Sequence, residues 1–414
     1  MSWFKKHHID VTYWTVFIAL LIIAGLSIFS ASSQLIYKYS IVDAIGKQLA
    51  FLLVGAVLAF CVQFVSSRYI RLGGYALLLF SLVCLMLISI PHSPFVVKAH
   101  DAARWMKIGG FSFQPSELAK LGLVIVVADL LSRIHSEEDK KRYFYITLTL
   151  TAVVVFPILL GNLSTALLIG TIVVFLWFLA KIPLKYLGSV IGILLVVMIL
   201  GYFYVEYTYV KPGREVTGIF QRAETWVSRI DQKILEMKQP KTDEVVVTKA
   251  NYQSVQAKFA VANGGTSPLG VGPGNSKARD FLPLAYMDYI YAIIVEESGM
   301  VGAVVLIFLY VVMLFRACFT STRFSDYAST LMSMGLAMML SVQALISMMV
   351  AVGLGPVTGQ PLPLISMGGT GVMVTALYFG IMMGVSREQA IFKDRQHQTV
   401  ISSRDDVPDI ELEN

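Results

Sequence analysis

Repeated apolar runs, most of them close to twenty residues long, constrain this chain more than any other feature of its sequence. They lie at roughly 12–31, 49–66, 74–91, 116–134, 143–160, 164–180, 186–206, 286–315, 327–352 and 368–386. A run of this length can cross the hydrocarbon core of a bilayer, where every backbone N–H and C=O needs a partner within the protein. The strict apolar–polar alternation of a membrane barrel is absent. The sequence therefore predicts an all-α polytopic membrane protein with about ten transmembrane helices.

Composition supports a membrane protein and argues against nucleic-acid binding. The chain is 56% hydrophobic and 14% charged, whereas about 25% of residues are charged in a typical soluble domain. The net charge of +6 comes from basic residues dispersed among the loops, which suits a surface facing anionic lipid. Cys61, Cys84 and Cys318 show neither metal-ligand spacing nor a disulfide framework, so we interpret them as small packing residues.

Lysine and arginine near the ends of the runs indicate the orientation, because short cytoplasmic connections carry an excess of these residues. With the N-terminus inside, the cytoplasmic positions hold Lys5, Lys6, Arg68, Arg71, Arg133, Lys140, Lys141, Arg142, Lys181, Lys185, Arg316, Arg323 and Arg387. Both termini are thus predicted to be cytoplasmic, in a multi-pass protein of the cytoplasmic (inner) membrane. We treat residues 1–386 as a single ten-helix domain and predict a charged, disordered tail over 387–414.

Three outer segments are longer than simple connections, at roughly 92–115, 207–285 and 353–367. The large one joins predicted helices 7 and 8. Apolar residues recur in it at three- and four-residue steps: Ile219, Ala223, Trp226, Ile230 and Ile234. This spacing predicts an amphipathic helix that lies on the outer membrane surface or packs on the helix bundle.

The large outer loop passes directly into an apolar run at Asp288. If a helix begins near Pro283, then Asp288, Ala292 and Glu296 share one stripe, and Glu296 lies about 12 Å deeper than Asp288. Ionisable residues at such positions are functional candidates, since placing them in a membrane is costly. A carboxylate at the mouth of a cavity can act as a general base. An interfacial carboxylate that simply reaches water is the alternative reading.

Two further groups of residues favour a shared outer site. Glycines between Gly264 and Gly274 would let backbone N–H groups approach an anion, with Lys277 and Arg279 alongside, although turn formation is the commoner reason for glycine. Glu117 and Lys120 lie three residues apart at a predicted helix entry, where they can pair on one face. A cavity at this membrane boundary is favoured over a plain surface ion pair.

These motifs resemble the SEDS family of polytopic peptidoglycan glycosyltransferases, which includes FtsW, RodA and SpoVE. The matching residues are Ser30-Ala31-Ser32, Arg104-Trp105, Gln114-Pro115-Ser116-Glu117 with Lys120, Tyr252-Gln253, Leu282-Pro283 before Asp288, Glu296-Glu297-Ser298-Gly299, Gln343, and the loop from Pro356-Val357-Thr358-Gly359 to Ser366-Met367-Gly368-Gly369-Thr370. They cover nearly the whole chain, in the family's order.

The resemblance implies polymerisation of lipid II into glycan strands in an outward-facing cavity. Asp288 would deprotonate the acceptor sugar hydroxyl as it attacks the donor, and undecaprenyl pyrophosphate would leave. Arg104, Lys120 or Arg279 would neutralise the developing charge. The remaining cavity residues implied are Trp105, Gln114, Ser116, Glu117, Lys277, Glu296, Glu297, Gln343, Ser366, Gly368 and Gly369.

The resemblance also implies partners and raises the question of a cofactor. The expected partners are lipid II, a cognate class B penicillin-binding protein (a transpeptidase) and membrane proteins of a division complex. A divalent cation, Mg²⁺ or Mn²⁺, at the pyrophosphate is a further expectation, although no metal-ligand spacing shows it.

The chain departs from the family pattern at several positions. Asn162 stands where relatives carry an acid, which leaves hydrogen bonding as its role, and Tyr286-Met287 replaces the usual His-Thr before Asp288. Ser347 stands where asparagine is usual, and Thr370 ends the Gly-Gly motif. These variants, together with the segment Gly359-Gln360-Pro361-Leu362-Pro363, favour a divergent FtsW, acting in septal synthesis, over a RodA-type elongation polymerase.

Two other classes of function compete with the polymerase. A lipid II flippase or transporter should carry ionisable residues through the membrane depth, with internal repeats, whereas here such residues concentrate on the outer side. A non-enzymatic division scaffold would tolerate replacement of Asp288.

Overall fold

The computed structural model describes residues 8–31, 41–90, 96–99, 102–108, 111–210, 220–238, 247–248, 251–283, 285–321 and 326–405. Its elements in chain order are α1 (Val11–Ala31), α2 (Ile41–Val62), α3 (Ser67–Ser89), β1 (Val96–Ala99), β2 (Ala102–Ile108), β3 (Phe111–Phe113), α4 (Pro115–Leu131), α5 (Glu137–Gly161), α6 (Leu163–Leu179), α7 (Leu184–Val205), α8 (Phe220–Lys238), α9 (Tyr252–Gly265), α10 (Ala278–Phe281), α11 (Ile290–Ser321), α12 (Tyr327–Ala351) and α13 (Thr370–Asp405). A π-helical turn, Glu206–Val210, extends α7.

The prediction of an all-α polytopic membrane protein is confirmed. Eight described helices are long and apolar enough to cross a membrane: α1, α2, α3, α5, α7, α11, α12 and α13. Each of the ten predicted runs coincides with a long helix, the other two being α4 and α6, of 17 residues each. A span count of ten, the placement of the termini and the single-domain division stay predictions.

A small antiparallel sheet in the first outer segment was not expected. Its order is β1-β2-β3, with Val97 opposite Trp105 and Met106 opposite Phe113. Met106 and Phe113 are buried and form a small cluster with Cys84 of α3. The sheet therefore packs against the C-terminal end of α3. The longest strand, β2, does not show the strict apolar–polar alternation that indicates a strand, because Trp105 and Met106 are adjacent apolar residues.

Helix α11 does not begin near Pro283 as predicted; it begins at Ile290. Asp288 lies in the non-helical turn before it. The stripe shared by Asp288, Ala292 and Glu296, and the depth of about 12 Å derived from it, are therefore wrong. The reason is tertiary, because this turn is hydrogen-bonded to a distant loop rather than wound into the helix.

Gly299 breaks α11 with φ 63° and ψ −159°, a conformation that is open almost exclusively to glycine. The glycine-rich loop, residues 264–274, packs into this break. Val271 N–H donates to Glu296 O at 2.9 Å, and Gly272 N–H donates to Glu297 O at 2.9 Å. A Cβ added at Gly264 would lie 2.0 Å from Val295 O. The glycines thus permit close backbone contact, and these two N–H groups are already used within the protein.

The amphipathic helix predicted in the large outer loop is present as α8. Val227 is buried, whereas Ile230 of the predicted apolar stripe is 39% exposed. Ile219, the first residue of that stripe, lies outside the described residues. Placement of α8 on the membrane surface stays a prediction.

Ion pairs join helix ends on the side predicted to be cytoplasmic. Arg71 of α3 lies 2.6 Å from Asp326 and 3.3 Å from Asp129, while Arg316 lies 2.7 Å from Asp10. Burial raises the pKa of the Asp326 carboxyl, but hydrogen bonds from Ser329 and Arg71 outweigh burial and hold the pKa below its usual value. These contacts connect α3 to α4 and α12, and α11 to the start of α1.

The structure also differs from the predicted disordered tail, because α13 continues to Asp405. Two contacts hold the helix just beyond residue 386: Glu388 accepts hydrogen bonds from Ser67, and Arg387 lies over the Phe64 ring at 5.0 Å. Helix-forming Glu, Gln, Ala, Lys and Arg residues make up eight of the twelve positions in 387–398. Residues 406–414 lie outside the described part of the chain.

Replacing Gly299 with alanine should destabilise the bundle. The new Cβ would lie 2.4 Å from Gly270 N, and the backbone conformation disfavours any side chain. We expect a loss of about 1–3 kcal/mol from backbone strain alone, seen as a lower thermal unfolding midpoint in detergent. Gly170→Ala is the matched control, since nothing lies within 4 Å of a Cβ there. An equal effect of both substitutions would contradict this account of the break.

Candidate active site

The loop between α12 and α13, residues 353–369, is bonded directly to the turn that carries Asp288; we call it the hub loop. Ser366 Oγ donates to Met287 O at 2.6 Å and accepts from Leu362 N–H at 2.8 Å. Met367 N–H donates to Tyr286 O at 2.9 Å. Ser366, predicted as a cavity residue, therefore fixes the backbone immediately beside Asp288.

Asp288 is half-buried beside the hub loop. A Cβ added at Gly359 would lie 3.7 Å from Asp288 Oδ2, and Gly359 has a φ of 62°. The loop backbone thus passes close to the carboxylate. Asp288 also precedes the first residue of α11 by two positions, where the helix dipole favours a negative charge.

Lys120 is held in a buried network that ends on the hub loop. Its side chain is 1% exposed, and its Nζ lies 2.8 Å from Glu117 Oε2. Lys120 Nζ also donates to Gln343 Oε1 at 3.0 Å, and Gln343 Nε2 donates to Pro361 O at 3.0 Å. The ion pair predicted from the Glu117–Lys120 spacing forms, and Gln343 connects it to the loop beside Asp288.

The two adjacent carboxylates of α11 are buried inside the protein. Glu296 is 0% exposed and accepts hydrogen bonds from Ser276 Oγ, from Ala278 N–H at 3.2 Å and from Lys277 N–H at 3.3 Å. Glu297 accepts one from Ser30 Oγ. Both carboxylates therefore anchor neighbouring segments, an arrangement that differs from the predicted placement of Glu296 deeper in a cavity.

The basic residues before Asp288 differ in their surroundings. Lys277 is exposed, and Arg279 is half-buried, with its Nη1 3.5 Å from Ser30 O and its Nε 3.8 Å from Asp280 Oδ1. These are long contacts for a guanidinium group. Arg279 therefore has weaker partners than Lys120.

Of the other predicted residues, Trp105 lies in β2, and Gln114 and Ser116 lie at the start of α4. Trp105 and Gln114 are half-buried, and Ser116 is buried in the first turn of α4 behind Pro115. Gly368 and Gly369 end the hub loop, where Gly369 has a φ of 41°. Arg104 lies in β2, and its side chain is outside the part of the structure that is described.

The sequence analysis missed three side chains that donate hydrogen bonds to carbonyls of the hub loop, and it missed the contact between Gln360 of the loop and Thr165 of α6. Arg229 Nη1 donates to Val357 O at 2.8 Å, Lys233 Nζ to Gly353 O at 2.6 Å, and Tyr310 Oη to Pro363 O at 2.6 Å. Gln360 of the loop donates to Thr165 Oγ1 at 2.8 Å. The only sequence signal was the four-residue spacing of Arg229 and Lys233, which places them on one helix face.

Proton transfer is the chemistry that this geometry suits, with one half-buried carboxylate on a turn fixed by several hydrogen bonds. No group of three or more His, Cys, Asp or Glu residues able to hold a metal occurs among the residues that the structure describes.

Comparison with known proteins shows similarity along nearly the whole chain. The family model described as "Cell cycle protein", which covers FtsW, RodA and SpoVE, matches residues 9–391. The peptidoglycan glycosyltransferase MrdB of Escherichia coli K12 is 26% identical over 93% of this chain and 95% of its own length. A probable peptidoglycan glycosyltransferase FtsW of Trichlorobacter lovleyi is 28% identical over 92% of this chain and 94% of its own length.

Solved structures show the same fold. A chain of a structure described as "Structural coordination of polymerization and crosslinking by a peptidoglycan synthase complex" aligns with a TM-score of 0.69 at 24% identity, covering 92% of this chain and 98% of that chain. The rod shape determining protein RodA of Thermus thermophilus aligns with a TM-score of 0.62 at 23% identity, covering 92% and 97%. The family match and the shared fold lead to one conclusion: this chain belongs to the FtsW/RodA/SpoVE family of multi-pass proteins of the cytoplasmic membrane.

Proposed function

We propose that this chain is a peptidoglycan glycosyltransferase that polymerises lipid II into glycan strands at the outer face of the cytoplasmic membrane. Membership of the family and the names of the relatives support the reaction class. The observation that carries the proposal is the position of Asp288, on a turn bonded through Ser366 and Met367 to the hub loop. A base must be fixed in this way to abstract a proton at a defined atom.

In the proposed mechanism Asp288 accepts the proton of the acceptor sugar hydroxyl. The hydroxyl oxygen forms a bond to the anomeric carbon of the donor, and the bond from that carbon to the pyrophosphate oxygen breaks. The electron pair leaves with undecaprenyl pyrophosphate. Arg279 suits the developing negative charge better than Lys120, since the Lys120 ammonium is already paired with Glu117 and hydrogen-bonded to Gln343.

We also propose that a divalent cation, Mg²⁺ or Mn²⁺, binds at the pyrophosphate. Mg²⁺ is commonly held by substrate phosphates with one or two carboxylates. The described residues do not supply a dedicated protein site, as they form no group of three or more metal-ligating side chains. The mechanism therefore assigns no step to a metal.

The proposed partner is a class B penicillin-binding protein that cross-links the new strands, within a division complex. Support comes from the similarity to a chain of a complex whose description joins polymerisation to crosslinking. We propose septal synthesis because of the sequence variants at Asn162, Tyr286-Met287, Ser347 and Thr370. The relatives named FtsW and MrdB are similarly distant, at 28% and 26% identity, so those variants alone carry the choice between division and elongation.

Asp288→Asn should slow glycan synthesis strongly. The amide keeps the shape of the side chain but cannot accept the proton, and a general base contributes about 10²–10⁴-fold to a rate. The measurement is polymer formation from purified lipid II by the purified protein with its partner, free of other polymerases.

Glu138→Gln is the matched control, because this carboxylate is exposed at the start of α5, a different element from the turn that carries Asp288, so polymer should form at close to the wild-type rate. Polymer made by the Asp288→Asn protein at the wild-type rate would overturn the assignment of the base. Lipid II translocation by wild-type protein without polymer would favour the flippase.

Removing one member of the Glu117–Lys120 pair should cost more stability than removing both. Lys120→Met leaves Glu117 uncompensated, and Glu117→Gln leaves the buried Lys120 ammonium without its counter-charge. Breaking a buried pair typically costs about 3–5 kcal/mol, whereas replacing both partners is often close to neutral.

A double-mutant cycle measured by thermal unfolding in detergent tests this expectation. Additive losses would contradict the direct pairing of the two side chains. Polymerisation assayed on a stable double variant then shows whether Lys120 acts on substrate as well as on structure.

A further inference from the structure

Two cations on α8 hold the N-terminal half of the hub loop. Arg229 Nη1 donates to Val357 O at 2.8 Å, and Lys233 Nζ donates to Gly353 O at 2.6 Å. The two residues are four apart and so lie on one face of the helix. Hydrogen bonds from charged donors are about twice as strong as neutral ones. The bonded face of α8 therefore fixes two carbonyl groups of an otherwise irregular loop.

Helix α8 is itself positioned by contacts outside the hub loop. Tyr202 of α7 donates from its hydroxyl to Asp231 Oδ1 at 2.5 Å, and Asp231 lies between the two cations in sequence. Val227 is buried. The placement of Arg229 and Lys233 is thus set partly by α7, and the cations transmit that placement to the loop.

The loop segment that is bonded to these cations passes beside Asp288. Only Thr358 separates Val357 from Gly359, whose Cβ position lies 3.7 Å from Asp288 Oδ2. Gly359 has a positive φ, so its backbone conformation is narrowly specified. A shift of the Val357 carbonyl would therefore move the backbone that lies against the carboxylate.

We propose that Arg229 and Lys233 are positioning residues for Asp288, acting through the hub loop rather than on substrate. The inference rests on the proposed polymerase function, because it assigns a consequence to the position of the base. Its physical basis is that both cationic groups donate to backbone carbonyls of this chain. A displacement of about 1 Å at reacting groups can lower a rate about 10²-fold.

The test uses the full chain with its partner and purified lipid II. In Arg229→Met/Lys233→Met both donors are lost while much of each aliphatic stem is kept. We expect kcat to fall by about 10²-fold, with KM for lipid II unchanged, because the two cations are proposed not to contact substrate. The exchanged variant Arg229→Lys/Lys233→Arg keeps both charged donors and should recover most of kcat. Lys141→Met, an exposed lysine in α5, is the control for loss of a lysine.

Hydrogen–deuterium exchange supplies a readout that needs no activity. The Met/Met variant should exchange faster over residues 353–369, with α12 unchanged, and the single Met variants serve if the double variant does not fold. A rise in KM at constant kcat would show that the cations bind the anionic substrate and would overturn the proposal. Unchanged exchange in the hub loop would overturn it as well. If wild-type protein makes no polymer, the proposed function fails, while exchange still decides whether these cations hold the loop.

Discussion

The structure around Asp288 depends on satisfying the backbone carbonyls of the hub loop. An irregular segment among membrane helices is tolerated only where the protein itself supplies hydrogen-bond partners. Side chains from three helices donate to loop carbonyls: Arg229 and Lys233 of α8, Tyr310 of α11 and Gln343 of α12. Thr165 of α6 accepts a hydrogen bond from Gln360 of the loop. The loop is consequently a shared contact of helices that are distant in sequence, and the turn carrying Asp288 is bonded to it.

This constraint explains why several buried polar residues form hydrogen bonds that hold neighbouring segments in place. Lys120 is buried with Glu117, and its bond to Gln343 orients the amide that donates to Pro361 O. A buried ion pair contributes little net stability compared with apolar packing, but it fixes geometry where its remaining hydrogen bonds are satisfied. Glu296 fixes geometry in the same way for the segment before Asp288, since its oxygens accept from Ser276 Oγ and from two backbone N–H groups.

Much of the fold could be predicted from the sequence because a membrane helix is specified by a short, continuous stretch of residues. A run of about twenty apolar residues must hydrogen-bond within itself in a bilayer, so the ten predicted runs coincide with long helices. The i,i+3 spacing likewise predicted the Glu117–Lys120 pair. Local patterns failed where backbone conformation is set by remote contacts: the start of α11 at Ile290 and the break at Gly299. The extension of α13 beyond residue 386 is likewise held by Ser67 and Phe64, some three hundred residues away.

By itself, the sequence determined the fold class, the helices and the candidate status of Asp288, because hydropathy and the cost of charge in a membrane act on short stretches of chain. Tertiary structure alone decided which polar groups surround that acid. Glu296 is fully buried, and Lys120 Nζ donates a hydrogen bond to Gln343 Oε1. Arg229 and Lys233, from an otherwise ordinary amphipathic helix, reach the hub loop. The physical reason is that a carbonyl oxygen accepts a hydrogen bond from any donor within about 3 Å. The fold can bring such a donor from any part of the sequence.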